Sequence, residues 1–109
     1  MSIRPVKIKI VNMDFTIEYV HKGIENGAQK FGWTDLNRQC IYISDDLTLH
    51  KEADTLIHEI LHALCWIFDL EDEAKVEAYC RRLSSGILAV WRDNLELFDY
   101  LHSLIFPSG

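Results

Sequence analysis

His58 and His62 stand four residues apart in "DTLIHEILHAL", with Glu59 directly after the first histidine. On a helix, residues four apart share a face, one turn above the other, so two imidazoles can point at one ion. Glu59 lies three before His62, near that face but rotated from His58. This is the H-E-x-x-H arrangement, in which two histidines bind zinc and the glutamate acts as base toward the water at the metal. The competing reading is a core helix with two hydrogen-bonded histidines. Two imidazoles and a carboxylate are costly to bury in so apolar a segment unless something pairs them, which favours the metal.

A catalytic zinc takes a third protein ligand and keeps one open position. Glu73 and Glu77 lie four apart on the following helix. Glu77 flanks an apolar stripe between Val76 and Cys80 and is expected to face inward. Glu73 falls in the first turn, where the helix dipole already explains an acid. Glu77 is therefore preferred, with Glu73 kept as the alternative and Asp69 and Asp72 as weaker ones. Cys65, three after His62, is on the histidine face and is chemically able to bind zinc. Buried free cysteine more often just packs, so Cys65 is read as packing. Asp54, one turn before His58, can orient that imidazole or simply sit at the surface, and the surface reading is preferred. Tyr42, Tyr79 and Tyr100 could each donate to a developing oxyanion, and nothing in the sequence selects one. His21, His50 and His102 lack a spacing partner and read as surface or edge residues.

The elements that must position these groups follow from periodicity. "VKIKIV" (residues 6–11) and "FTIEYV" (15–20) alternate as half-buried strands around a turn at "NMD", forming a hairpin. "HKGIENGAQK" reads as a loop, and "FGWTD" and "QCIYIS" as two further strands around "LNR". This predicts a small antiparallel sheet of three to four strands within residues 1–44. Asp45, Asp46 and Thr48 are candidate N-caps for a central, most buried helix over about 49–68. A second helix spans about 73–91 with a stripe of Val76, Cys80, Leu83, Ile87 and Val90. Ser84, Ser85 and Gly86 on it are small enough to permit close helix packing. A short third helix fits "LELFDYLHSLIF", whose stripe of Leu97, Leu101 and Leu104, with Phe98 and Ile105, is expected in the core. Pro107 ends regular structure. The fold class is α+β, in one domain over 1–109: sheet to 44, metal-site helices over 45–92, then the C-terminal helix and tail.

The bulk composition agrees with a small folded domain. Of 109 residues, 49% are apolar and 26% charged, with a net charge of −6. That charge argues against a nonspecific nucleic-acid binder, and none is expected as a partner. The odd set Cys40, Cys65 and Cys80 contains no CxxC and reads as reduced thiols. There is no signal-peptide pattern and no apolar run of membrane-spanning length. A cytoplasmic protein without membrane contact is expected, as a monomer or weak homodimer.

"TLIHEILHAL" followed by "VEAYCRRL", with "FGWTDLNRQCIYIS" upstream, resembles the small zinc-metallopeptidase-like proteins of bacteriophages and prophages. These are similar to the ImmA/IrrE-type regulatory metallopeptidases and to minimal zincins. The resemblance covers roughly residues 6 to 95, and its specific part is the H-E-x-x-H segment. It implies a zincin-like fold in which an edge strand lines the cleft and a glutamate on the next helix, often followed by alanine, completes the site. Glu77-Ala78 matches, which raises Glu77 over Glu73. Thermolysin-like relatives carry an aspartate four residues after that glutamate, where this chain has Arg81. The resulting expectation is a Zn²⁺-dependent metallopeptidase of a bacterial or phage-infected cell, acting on a peptide or protein substrate. Its metal ligands are His58, His62 and Glu77, and its general base is Glu59. The alternative is a zinc-stabilised binding or phage-assembly module without turnover, which a fourth ligand such as Cys65 would favour.

Overall fold

The computed structural model describes residues 3–21, 23–25, 28–70 and 73–107. Strands β1 (Lys7–Ile10) and β2 (Met13–Val20) pair antiparallel as the alternation predicts. Ile10, Phe15 and Ile17 turn to the core, while Lys7, Lys9, Asp14, Thr16 and Glu18 remain exposed. The turn between them is tighter than "NMD" suggested. It is Val11–Asn12, with Met13 already paired to Ile10. Val11 takes a φ of 59°, in the left-handed region that β-branched residues rarely occupy.

The segment expected to be a loop after β2 instead contains two short strands, β3 (Gly23–Glu25) and β4 (Ala28–Lys30), paired as a separate hairpin. Then come β5 (Gly32–Asp35) and β6 (Cys40–Ser44), antiparallel to each other. The expectation of a wholly antiparallel sheet is corrected here. The sheet is mixed, in the order β1-β2-β6-β5, and β2 and β6 run parallel, with Ile17 beside Ile41. The chain leaves β2, descends along the outer edge as β5 and returns as β6 into the gap between them. Alternation tells which face of a strand is buried and carries no information on which neighbour it takes. The central place of β6 explains its burial: Cys40, Ile41, Ile43 and Ser44 are all buried.

Helix α1 (Leu49–Ile67) crosses one face of this sheet. Thr48 caps it, its Oγ1 accepting from the Lys51 N–H at 3.2 Å, which selects Thr48 among the candidate caps. Glu52 in the first turn favours the helix dipole and pairs with Arg4 at 2.7 Å. At the far end Asp69 takes φ 53°, with Leu70 N–H bonding to Cys65 C=O and Asp69 N–H to Trp66 C=O. This is a Schellman closure, and it gives Asp69 a structural task. Leu56, Ile60, Leu64 and Ile67 pack with buried Ala63 on Ile10, Phe15, Ile17, Ile41 and Ile43. Burying a side chain such as Phe15, which is fully buried, stabilises the fold by roughly 1.5–3 kcal/mol.

Helix α2 (Glu73–Asp93) packs along α1. Its buried stripe is Val76, Cys80 and Ser84, while Leu83 and Val90 are exposed, so the stripe is turned from the one expected. Gly86 does not serve close packing, since a Cβ there would meet nothing within 4 Å. Asn94 alone separates α2 from α3 (Leu95–Ile105). The expectation that α3 is part of the core is also corrected. None of its residues is buried, and Leu97, Leu101, Leu104 and Ile105 are all exposed. Among the described residues, no helix is long and apolar enough to cross a membrane.

Candidate metal centre

The two histidines come from the middle of α1, one turn apart. They lie on the side of the helix turned away from the apolar stripe. Their Nε2 atoms are 3.1 Å apart. Glu77, from the first half of α2, reaches both: Oε1 lies 3.1 Å from His58 Nε2 and Oε2 lies 2.8 Å from His62 Nε2. His58, His62 and Glu77 form a converging group of metal-competent donors among the described residues. The preference for Glu77 over Glu73 rested on an inward-facing position, and the geometry differs in detail. Glu77 looks into a cleft and keeps its side chain 54% exposed. Asp72 and the side chain of Glu73 lie outside the described residues.

These spacings can be tested against a metal. Four donors about 2.0–2.1 Å from a tetrahedral zinc lie roughly 3.3 Å from one another. The observed separations of 2.8–3.1 Å use a different Glu77 oxygen for each histidine; with one donor atom per residue the three lie within 4.8 Å of one another, in the neighbourhood of those edges. The donor set, two imidazoles and a carboxylate, also suits zinc and other first-row divalent ions.

Glu59 lies beside this group without joining it. It is buried, and Thr34 Oγ1 donates to its Oε1 at 2.7 Å and to its main-chain carbonyl at 3.3 Å. Burial pushes its carboxyl above the usual carboxylate range. Thr34, His58 and His62 pull it back, and Glu77 adds to the rise. Thr34 is the partner of Glu59 that the sequence did not reveal. Its reach depends on Gly32, two residues earlier on β5. A Cβ at Gly32 would stand 2.8 Å from both Thr55 Cγ2 and the Tyr42 carbonyl oxygen. The missing side chain lets β5 lie against α1, and Thr34 then meets Glu59 across that contact.

The group forms part of the wall of a cleft of about 760 Å³ between β5, α1 and α2. Trp33, Thr34, Trp66, Leu70 and Arg81 also line it. Strand β5 is at the sheet edge, hydrogen-bonded to β6 on one side only. The expected edge strand along the cleft is therefore present. Arg81 forms no ion pair among the described residues.

The remaining candidates separate cleanly. Cys65 lines the cleft but is not in the converging donor group. It neighbours Cys80, whose thiol burial and Cys65 together push up to about 12, so Cys80 is a packing residue. Asp54 Oδ1 accepts from Ser85 Oγ at 3.5 Å, a contact that joins α1 to α2. Tyr42 stacks on Trp33, and Tyr79 and Tyr100 are exposed; none of the three lines the cleft. His21 and His50 are exposed, and His102 packs on Phe106, in keeping with the surface reading. No protein-family model matches the chain, and no curated protein or solved structure matches it.

Proposed function

We propose that the protein is a zinc-dependent metallopeptidase with His58, His62 and Glu77 as ligands and Glu59 as general base. One observation carries the reading: donor atoms of three residues from two helices lie within 4.8 Å of one another beside a buried, clamped glutamate, in an open cleft. A bound divalent ion would supply a water acidified toward neutral pH and polarise a substrate carbonyl. The chain's own groups do the rest. Thr34 holds Glu59 by Oε1, which leaves Oε2 to take the proton from the attacking water. Glu59 then returns that proton to the departing amine nitrogen. The raised affinity of Glu59 for protons, caused mainly by burial, suits a group that must both accept and release one.

The free edge of β5 suits an extended peptide, which can add to it as a strand through main-chain hydrogen bonds. A peptide added there would run along the wall from which Thr34 reaches Glu59. The resemblance to small phage zincin-like proteins supports the same substrate class.

Paired variants test the assignment. Glu59→Gln should retain about one zinc per chain by elemental analysis, as expected of a residue that is not a ligand. It should lower cleavage of a mixed peptide library by about 10²–10⁴-fold, the usual contribution of general acid–base catalysis. His58→Ala should lose the metal. Undiminished cleavage by Glu59→Gln would remove Glu59 from the mechanism. Zinc retained at full affinity by His58→Ala would remove the metal site.

A further inference from the structure

Arg81 stands one helical turn after Glu77 on α2, so the two side chains leave the same face of that helix. It lines the cleft that holds the metal donors, and its guanidinium has no protein partner among the described residues. The cleft is not short of acids that could have taken it. Asp54, Glu59, Asp69 and Glu77 line the same space. Three of them are engaged elsewhere: Asp54 accepts from Ser85, Glu59 accepts from Thr34, and Glu77 lies against both histidines. Other arginines of the chain do meet carboxylates, Arg4 with Glu52, Arg38 with Asp35 and Arg92 with Asp93. A guanidinium presents five N–H donors in a planar fork that matches a carboxylate. In a concave site, a fork left without a protein partner is available to a ligand.

The packing gives the cleft a direction. Thr34 meets Glu59, and a Cβ on Gly32 would meet Thr55, so β5 runs beside α1 in the same sense. Phe31, just before β5, accordingly meets Lys51 in the first turn of α1, with the ammonium 4.5 Å from the ring centroid. Helix α2 runs the opposite way, since Ser85 reaches Asp54 while Glu77 reaches His62. Arg81 falls between those two contacts and so lies on the Lys51 side of the donors. Lys51 lines the cleft as well and forms no ion pair among the described residues. Trp66 and Leu70 line it beyond His62, toward the end of α1. The cleft is therefore cationic on one side of the donors and apolar on the other, in a chain whose net charge is −6.

We infer that Arg81 binds a carboxylate of the substrate and so selects peptides that carry one near the bond to be cut. As a statement of substrate class, this rests on the peptidase reading. The step from Glu77 to Arg81 is about 6 Å along the helix, close to two residues of extended peptide at about 3.3 Å each. The carboxylate is therefore expected within about two residues of the cleaved bond. An aspartate or glutamate side chain and a free C-terminus both offer that group.

Matched peptides test the inference, by kcat/KM for cleavage and by calorimetric Kd on the full chain. One set carries Glu or Gln at each position in turn, and a second compares a free C-terminus with its amide. The carboxylate form should be favoured about 10-fold by both measures. Arg81→Gln should bring that ratio close to one, with zinc content and circular dichroism unchanged. Arg82→Gln, at a neighbour that does not line the cleft, should leave the ratio as it is. Arg81→Glu should reverse the preference toward a peptide with Lys at the same position. A response confined to the first set identifies an acidic side chain as the group bound, and one confined to the second identifies the C-terminus. Equal handling of both forms by the wild-type chain overturns the inference, as does the absence of any peptide binding. A uniform loss over all peptides in Arg81→Gln, with the ratio intact, also overturns it and would make Arg81 an oxyanion donor. Carboxylate-selective binding without cleavage would instead sink the peptidase reading and keep Arg81 as a carboxylate site.

Discussion

Helices α1 and α3 are both amphipathic, and they end in opposite surroundings. The apolar side of α1 is sealed by the sheet, through Leu56, Ile60, Ala63 and Leu64 against Phe15, Ile41 and Ile43. Its other side turns His58 and His62 toward α2 and the cleft. The apolar side of α3 is exposed, and Phe98 near the helix start stacks on Trp91 of α2. The same periodic pattern therefore gives a rigid platform in one place and an open surface in the other. Precision follows the platform. A donor group with spacings of 2.8–3.1 Å needs side chains whose backbone is fixed from two sides, and α1 has that.

Substitutions can break or sharpen this contrast. The largest stability effect belongs under α1. Phe15→Ala should cost about 3–5 kcal/mol, read by urea unfolding, because the site is fully buried and cannot collapse easily. On the proposed function, such a loss should also lower the zinc bound per chain. Next comes the contact between β5 and α1. Gly32→Ala should cost about 1–3 kcal/mol by overpacking against Thr55 and the Tyr42 carbonyl. It should push Thr34 away from Glu59, so cleavage should fall while zinc content holds. If Gly32→Ala leaves both stability and cleavage intact, the close approach of β5 has no functional role. The smallest effect belongs on α3. In dilute solution Leu104→Ala should change stability by no more than about 0.5 kcal/mol, as exposed positions do. A large cost at Leu104 would show that α3 is packed within its own chain and would erase the contrast.

Much of this was legible in the sequence, for reasons that differ by element. The ends of α1 and α3 follow from local signals: Thr48 as a cap and Pro107 as a stop. The His58–His62 pair is legible because helical spacing alone puts both rings on one face. The parallel course of β2 and β6 was not legible, since "FTIEYV" and "CIYIS" alternate identically whichever neighbour they take. The hairpin of β3 and β4 was hidden by its glycines, which read as turn. Glu77 could be ranked above Glu73 but not located, because its reach depends on how α2 packs. Thr34 had no signal of its own; its bond to Glu59 exists only because Gly32 lets two elements touch. The exposure of α3 was hidden for a related reason, as a periodic stripe shows that a helix is amphipathic and not what covers it.

The parallel pairing of β2 with β6 also sets an order of assembly. The hairpins β1–β2 and β5–β6 are local and can each close within about 1–10 μs. Their union requires Ile17 to find Ile41 across the intervening chain, and such non-local closure is what slows folding. Only after it does α1 have a complete sheet to rest on and Thr34 a glutamate to hold. The Thr34–Glu59 contact, which joins β5 to α1, is thus among the last things the chain builds.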